Sequence, residues 1–268
     1  MMDQLMQQTD IQAAAQVLFN RRLKQQVTGP LAPELRPASV DDALAIQQQL
    51  TLLMEQAGDR VAGWKCALPI EIDGLKNVPV VAPIFRNSTY TDSPCPIQLD
   101  QGVCKIEPEI AFRFGHDLPH RHEPFSEEEI MAALSGAHLA LELILSRYLN
   151  PDSVSYCEHL ADCLFNQGLF LGPEIPLEQA FSASEIGFVL TGSAGISDAR
   201  IDGKHPAVYP QLPLFWMVNY LSQKGIDIKA GQVVITSSYA GVIEVAPEIN
   251  FTLQYEKLGE IGLRFEID

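Results

Sequence analysis

Lys105–Gly115 reads KIEPEIAFRFG, two glutamates two residues apart with a proline between them inside an apolar run. Apolar and polar positions alternate as in a strand. Side chains alternate across a strand, so Glu107 and Glu109 share one face about 6.5–7 Å apart, while Ile106, Pro108, Ile110 and Phe112 take the other. Pro108 cannot donate to a ladder, which places it at an edge or at an irregular position where a ligand can approach. Two adjacent carboxylates repel unless a cation lies between them, and hard oxygen donors of this kind hold divalent ions at about 2.0–2.6 Å. A solvated pair on an exposed antiparallel face has the same spacing.

A third acid stands downstream in HLALELILSRY, His138–Tyr148. Leu139, Leu141, Leu143 and Leu145 share one face; Ala140, Glu142, Ile144 and Ser146 share the other. Glu142 is thus an acid in mid-strand among apolar neighbours, where a lone ionised carboxylate is costly. Either Glu107, Glu109 and Glu142 together hold Mg²⁺ or Mn²⁺, or Glu142 is paired with a nearby Arg or Lys.

Outward from these strands the pattern is consistent. VAGWKCAL, VPVVAPIF, FNQGLFLG, IGFVLTG, QVVITSS, GVIEVA, INFTLQYE and IGLRFEI read as further short strands between Pro, Gly, Asn and Asp. Their number and spacing predict a sandwich or barrel-like body, with too few helices for an alternating α/β fold. FSEEEIMAALSGA opens with a Ser126/Glu129 capping box, and YPQLPLFWMVNYLSQKG predicts a helix over about 211–224 whose buried face carries Tyr209, Phe215, Trp216 and Tyr220. The first ~60 residues differ: 10–28 and 39–57 read as two helices, the second capped by Ser39 and stopped at Gly58, joined by a Pro-rich connector. We therefore expect an N-terminal helical segment over 1–60 and a body over 61–268.

The chain has 268 residues, 47% hydrophobic and 19% charged, the composition of a folded globular protein. Its net charge of −16 argues against nucleic acid or an anionic membrane as partner. An anionic substrate could bind only where a cation reverses the local field. Five cysteines without a C-x-x-C pair, no signal-like start and no apolar run long enough to span a bilayer predict a cytoplasmic protein with buried or free thiols.

IEPEIAF, ALELILSRY, LADCLFNQGLFLG, KAGQVVITSSYAG and LGEIGLRFE, in that order, resemble the 2-oxopent-4-enoate hydratase and 4-oxalocrotonate decarboxylase branch of the fumarylacetoacetate hydrolase superfamily. The resemblance runs from about Gly63 to the C-terminus. It implies an α+β fold, a mixed β-roll or sandwich with an N-terminal helical segment. It also implies Mg²⁺ or Mn²⁺ on Glu107, Glu109 and Glu142, which binds a small 2-oxo acid and stabilises its enolate. Lys65 in GWKCAL matches a Gly-x-Lys motif and is the candidate to orient or protonate substrate, with a structural ion pair to one of the glutamates as the alternative. Asp162 falls where the family carries an aspartate supporting the pocket. Thr236 and Ser238 match a segment that reaches the substrate carboxylate. Homo-oligomers, and a complex with a related pathway enzyme, are also implied.

Departures cluster where the chemistry is expected. The family's Ile-Gly-Leu after the lysine is Cys66, Ala67 and Leu68, and its Asn after Ala-Asp is Cys163. Val80 stands in place of an aspartate, with Glu71 and Asp73 a few residues upstream as possible substitutes. His116, His120 and His122 read as a solvated loop, without the spacing of a zinc site. His138 and His159 read as structural, His159 being the nearer to the pocket. GSAG around Ser193 reads as a turn, outside any G-x-S-x-G elbow. The expected activity is hydration of 2-hydroxypenta-2,4-dienoate by a metal-dependent lyase. The alternatives are 4-oxalocrotonate-type decarboxylation, acylpyruvate C–C hydrolysis, and a non-catalytic 2-oxo acid binder or supporting subunit.

Overall fold

The computed structural model describes residues 6–192 and 199–267; Ser193 and the rest of GSAG after Gly192 lie outside them. Two helices come first, α1 (Gln8–Leu23) and α2 (Val40–Gln56). The chain then runs through β1 (Val61–Ile72), β2 (Leu75–Phe85), β3 (Thr89–Tyr90), β4 (Cys95–Ile97), β5 (Cys104–Phe114), α3 (Glu127–Ala133) and β6 (Leu134–Ile144). There follow α4 (Tyr156–Ala161), β7 (Asn166–Ile175), α5 (Leu177–Ser182), β8 (Glu185–Gly192), β9 (Ala199–Lys204) and α6 (Gln211–Gln223). Four short to medium strands close it, β10 (Val233–Ile235), β11 (Ile243–Val245), β12 (Asn250–Tyr255) and β13 (Gly259–Ile267). The helices α4 and α5, each of six residues, escaped the periodicity reading because one and a half turns carry too few apolar repeats to register.

The larger sheet has the order β2-β1-β10-β5-β6-β7-β3, with β11 also paired to β5. Its first strand, β2, ends at Phe85 and its last, β3, begins at Thr89. Three residues of chain, 86–88, thus join the two sides of the sheet, which must roll up for them to meet. Along β5, β10 pairs with Ala111–Arg113 and β11 with Cys104–Ile106. Pro108 falls in the gap between these partners, inside the sheet at an irregular position rather than at an edge, so its missing N–H breaks no ladder. The gap is bridged by the Tyr239 N–H, which donates to the Pro108 carbonyl at 3.1 Å.

The smaller sheet, β4-β13-β12-β8-β9, covers the outer face of the roll. Ile106, Ile110, Phe112, Leu139, Leu141 and Leu143 join Phe188, Leu253 and Phe265 in one buried core. Tyr255 Oη donates across the sheets to the Ala140 carbonyl at 2.7 Å. On the inner face Ala111, Ala140, Leu169, Leu171, Val233 and Ile235 form a separate small cluster. The odd and even positions of β5 and β6 thus serve two different interiors.

Ile11, Ala14, Ala15 and Leu18 make one buried stripe of α1, and Ala43, Ile46, Leu50 and Met54 one of α2. Both stripes pack with Ala82, Phe85, Tyr148 and Leu160 of the body. Ser39 caps α2, its hydroxyl accepting from the Asp42 N–H at 3.1 Å. Of the aromatic residues assigned to the buried face of α6, Phe215 is buried, Trp216 and Tyr220 are half-buried and stacked, and Tyr209 is exposed. Tyr209 precedes the helix, where the 3.6-residue period no longer applies. All five cysteines are free and buried. Among the described residues no helix is long and apolar enough to cross a membrane.

Candidate metal centre

Glu107 of β5 lies directly opposite Glu142 of β6, and Glu109 opposite Ala140. Glu142 and Glu109 are buried and Glu107 half-buried. One oxygen from each of the three carboxylates lies within 4.8 Å of the others, and no other acid, His or Cys joins them among the described residues. Burial and the neighbouring acids push the Glu107 carboxyl up to about 7 and that of Glu109 well above the usual carboxylate range. The Ser237 N–H, donating to Glu109 Oε2 at 2.7 Å, offsets part of the latter.

Lys65 supplies the opposing charge. In the sheet order β1, β10, β5, β6 it stands three strand spacings from Glu142, about 14 Å on a flat sheet. Its Nζ nevertheless lies 2.6 Å from Glu142 Oε1, because the sheet curls and the side chain reaches across the interior. Burial alone lowers the pKa of a lysine, but Glu142 and Glu107 outweigh it here and the net shift is upward. Lys65 is therefore a held ammonium rather than a base. Gly63, two residues before it, is required by close approach: a Cβ there would collide with the Val233 carbonyl of the parallel neighbour β10.

The segment between α4 and β7 completes the surroundings. Cys163, Leu164 and Phe165 are three consecutive non-glycine residues in the left-handed region, at φ 64°, 52° and 65°. Such a conformation costs roughly 1–2 kcal/mol per residue. The turn is braced by Leu145 N–H to the Phe165 carbonyl at 2.8 Å, by Leu164 N–H to the His159 carbonyl at 2.8 Å, and by stacking of His159 on Phe165. Arg147 donates to the Asn166 carbonyl at 2.9 Å, and Arg22 of α1 donates to the same oxygen at 3.4 Å. Two groups then face the acids. The Leu164 carbonyl accepts from Lys65 Nζ at 3.0 Å, and Asn166 Nδ2 donates to Glu142 Oε1 at 2.8 Å.

The sequence-predicted residues thus divide. Lys65, Glu107, Glu109 and Glu142 come together. Asp162 ends α4 behind the turn, buried and paired with Arg147 at 3.4 Å. Thr236 is fully buried, its carbonyl accepting from His205 Nε2 at 3.0 Å. Ser238 is half-buried, with its hydroxyl donating to the Gly241 carbonyl at 3.0 Å. Glu71 and Asp73 sit at the tip of the β1–β2 hairpin, past the pairing of Val80 with Ala67, and neither joins the carboxylate cluster. His138 donates from Nδ1 to the Gly172 carbonyl at 3.1 Å, and His159 packs on the turn. Sequence reasoning missed Asn166, the Leu164 carbonyl and the Ser237 N–H. Two of these are backbone groups with no side-chain signal; the third is one polar residue opening an apolar strand.

The donor set suits a divalent ion. Three hard carboxylates converge against a single ammonium, and Glu142 Oε2 is buried with no hydrogen-bond partner. An unpaired acceptor in such a place lacks a cation or a donor. A cavity of about 510 Å³ between α2 and α6 includes none of these residues, so chemistry rather than concavity identifies the site.

No family model matches the chain. Curated relatives do. A 2-keto-4-pentenoate hydratase of Paraburkholderia xenovorans is 24% identical over 257 residues, 94% of either chain. A 2-hydroxyhexa-2,4-dienoate hydratase of Comamonas testosteroni is 24% identical over 95% of this chain and 97% of its own. A 4-oxalocrotonate decarboxylase of Pseudomonas putida is 24% identical over 98% of this chain and all of its own. Among solved structures, 4-oxalocrotonate decarboxylase from Pseudomonas putida G7, complexed with magnesium and adipate, superposes with a TM-score of 0.80 at 22% identity, over 98% of this chain and 100% of that one. A fumarylacetoacetate hydrolase family protein from Yersinia pestis gives 0.53 at 19% identity, over 76% and 93%.

Proposed function

From the premise that this chain is a homologue of the 2-keto-4-pentenoate hydratases and 4-oxalocrotonate decarboxylase, with the fumarylacetoacetate hydrolase fold, we propose that it is a divalent-metal-dependent hydratase. Its substrate is 2-hydroxypenta-2,4-dienoate or a related small 2-oxo acid. The observation that carries this is the buried cluster of Glu107, Glu109 and Glu142 with Lys65 against it.

Glu107, Glu109 and Glu142 would hold Mg²⁺ or Mn²⁺. A bound divalent ion supplies Lewis acidity toward the oxygens of a 2-oxo acid and offsets the charge of the acidic site. Lys65 keeps its proton at neutral pH and can donate a hydrogen bond to a substrate oxygen. It is also the group in the cluster able to deliver a proton, since Val80 offers none. The Ser237 N–H restrains Glu109, and Ala111 and Ala140 of the buried apolar cluster share the strand face that carries the acids. Ser238, half-buried just beyond Ser237, would meet a substrate carboxylate. Asp162 acts from behind, through Arg147 and the left-handed turn, and Thr236 through the backbone it shares with Ser237.

The test is ultraviolet absorbance of freshly generated dienoate with protein plus Mg²⁺ or plus chelator. Metal-dependent loss of the dienoate with 4-hydroxy-2-oxopentanoate as product supports the hydratase. No turnover by protein shown to hold metal refutes it. Decarboxylation of 4-oxalocrotonate is the second reading, supported by the alignment with the Pseudomonas putida decarboxylase over 98% of this chain; carbon dioxide release from that substrate would establish it.

A further inference from the structure

Glu142 has two oxygens in unlike surroundings. Oε1 accepts from Lys65 Nζ at 2.6 Å and from Asn166 Nδ2 at 2.8 Å. Oε2 has no partner, although it is buried. Asn166 is fully buried, and its Nδ2 also donates to the Gly168 carbonyl at 3.2 Å. Both groups facing that amide nitrogen are acceptors, so a flipped amide would set oxygen against oxygen and the donor orientation is compelled. Asn166 in turn follows directly on the three left-handed residues, whose strain persists because Arg147, Arg22, Leu145 and His159 hold the turn from all sides. The same turn aims the Leu164 carbonyl at Lys65.

We propose that Asn166, delivered by this left-handed turn, is a positioning residue for Glu142: with Lys65 it claims Oε1, so that Glu142 offers Oε2 alone, as a one-oxygen ligand beside Glu107 and Glu109. The inference rests on the metal reading above. A carboxylate free to rotate would exchange its oxygens, swinging Oε1 between ion and ammonium; two donors on one oxygen remove that freedom. Outer hydrogen-bond partners of this kind set ligand orientation and, when removed, weaken metal binding about 10–100-fold.

The experiment is calorimetric titration of Mg²⁺ and of Mn²⁺ into metal-stripped wild type, Asn166→Ala, Asn166→Leu and Gln167→Ala, each checked for folding by circular dichroism. Asn166→Leu keeps the branched shape without either polar group. Gln167→Ala is the control, because Gln167 lies next on β7 and makes three hydrogen bonds, to the Gln98 N–H and to the Gln98 and Ile144 carbonyls, with no contact to the acids. The expected result is binding weakened about 10–100-fold in the folded Asn166 variants and changed by less than about twofold in Gln167→Ala. Wild-type affinity in an Asn166 variant overturns the role of Asn166 while leaving the metal reading intact. An equal fall in Gln167→Ala overturns it too, as does unfolding of both Asn166 variants alone, since the residue would then serve the fold. Wild type that binds neither ion overturns the metal reading itself and this inference with it.

Discussion

Glu107→Gln should make the metal-free protein more stable. Burial and Glu142 raise the Glu107 carboxyl from an ordinary 4.5 to about 7. A carboxyl whose pKa is higher in the folded state leaves stability intact below about pH 4.5 and removes it as pH rises toward and through 7. Integrated to pH 7, the shift amounts to about 3 kcal/mol. A neutral glutamine avoids that loss and can also donate to the remaining acids. Urea denaturation in chelator should therefore show the variant more stable by up to about 3 kcal/mol near pH 7, with the gap closing near pH 4.5. With metal at a hundredfold excess over Kd the gap near pH 7 should all but close, since wild type gains about 2.7 kcal/mol from binding and the variant lacks a ligand. A gap in chelator that is absent near pH 7, or equally large near pH 4.5, would refute the picture of three acids crowded at a cost to the apo fold.

Glu142→Ala is expected to abolish Mg²⁺ and Mn²⁺ binding by calorimetry; full retained affinity would dismiss the three-glutamate site. Lys65→Met should stop turnover and lower apo stability by about 3–5 kcal/mol in urea denaturation, because it leaves a buried carboxylate without its cation; an unchanged midpoint would show that the ion pair is not formed. His205 is fully enclosed, its Nε2–H donating to the Thr236 carbonyl and its Nδ1 accepting from the Ala207 N–H, and burial brings its pKa from 6.5 down to about 4. Its contribution is present above pH 6.5 and lost as pH falls toward 4, roughly 3 kcal/mol in all; His205→Gln should flatten the acid limb of stability against pH by that amount, and an identical limb would contradict it. Gly63→Ala should cost about 3 kcal/mol through the collision with the Val233 carbonyl, read as a fall in melting temperature; a neutral substitution would place β10 elsewhere.

The strands were legible because alternation is a local property. Each residue's face follows from its parity along β5 or β6, so Glu107 with Glu109, and Glu142 apart from its leucines, could be read without knowing what lay beside them. The two N-terminal helices were legible for the same reason, their stripes and the Ser39 cap being contained within one element. Short α4 and α5 were not, having too few turns to show a period.

What the amino-acid sequence determined by itself is therefore a set of faces: two acids on one strand, a third on another, a lysine two residues after a glycine. Which faces meet was decided by tertiary structure. The β5–β6 register sets Glu107 opposite Glu142, and the curl of the sheet brings Lys65 across about 14 Å of strand spacing. A left-handed turn built without glycine then delivers Leu164 and Asn166. Each of these rests on contacts between residues tens of positions apart, or on backbone atoms common to every residue, and neither leaves a periodic mark in the chain.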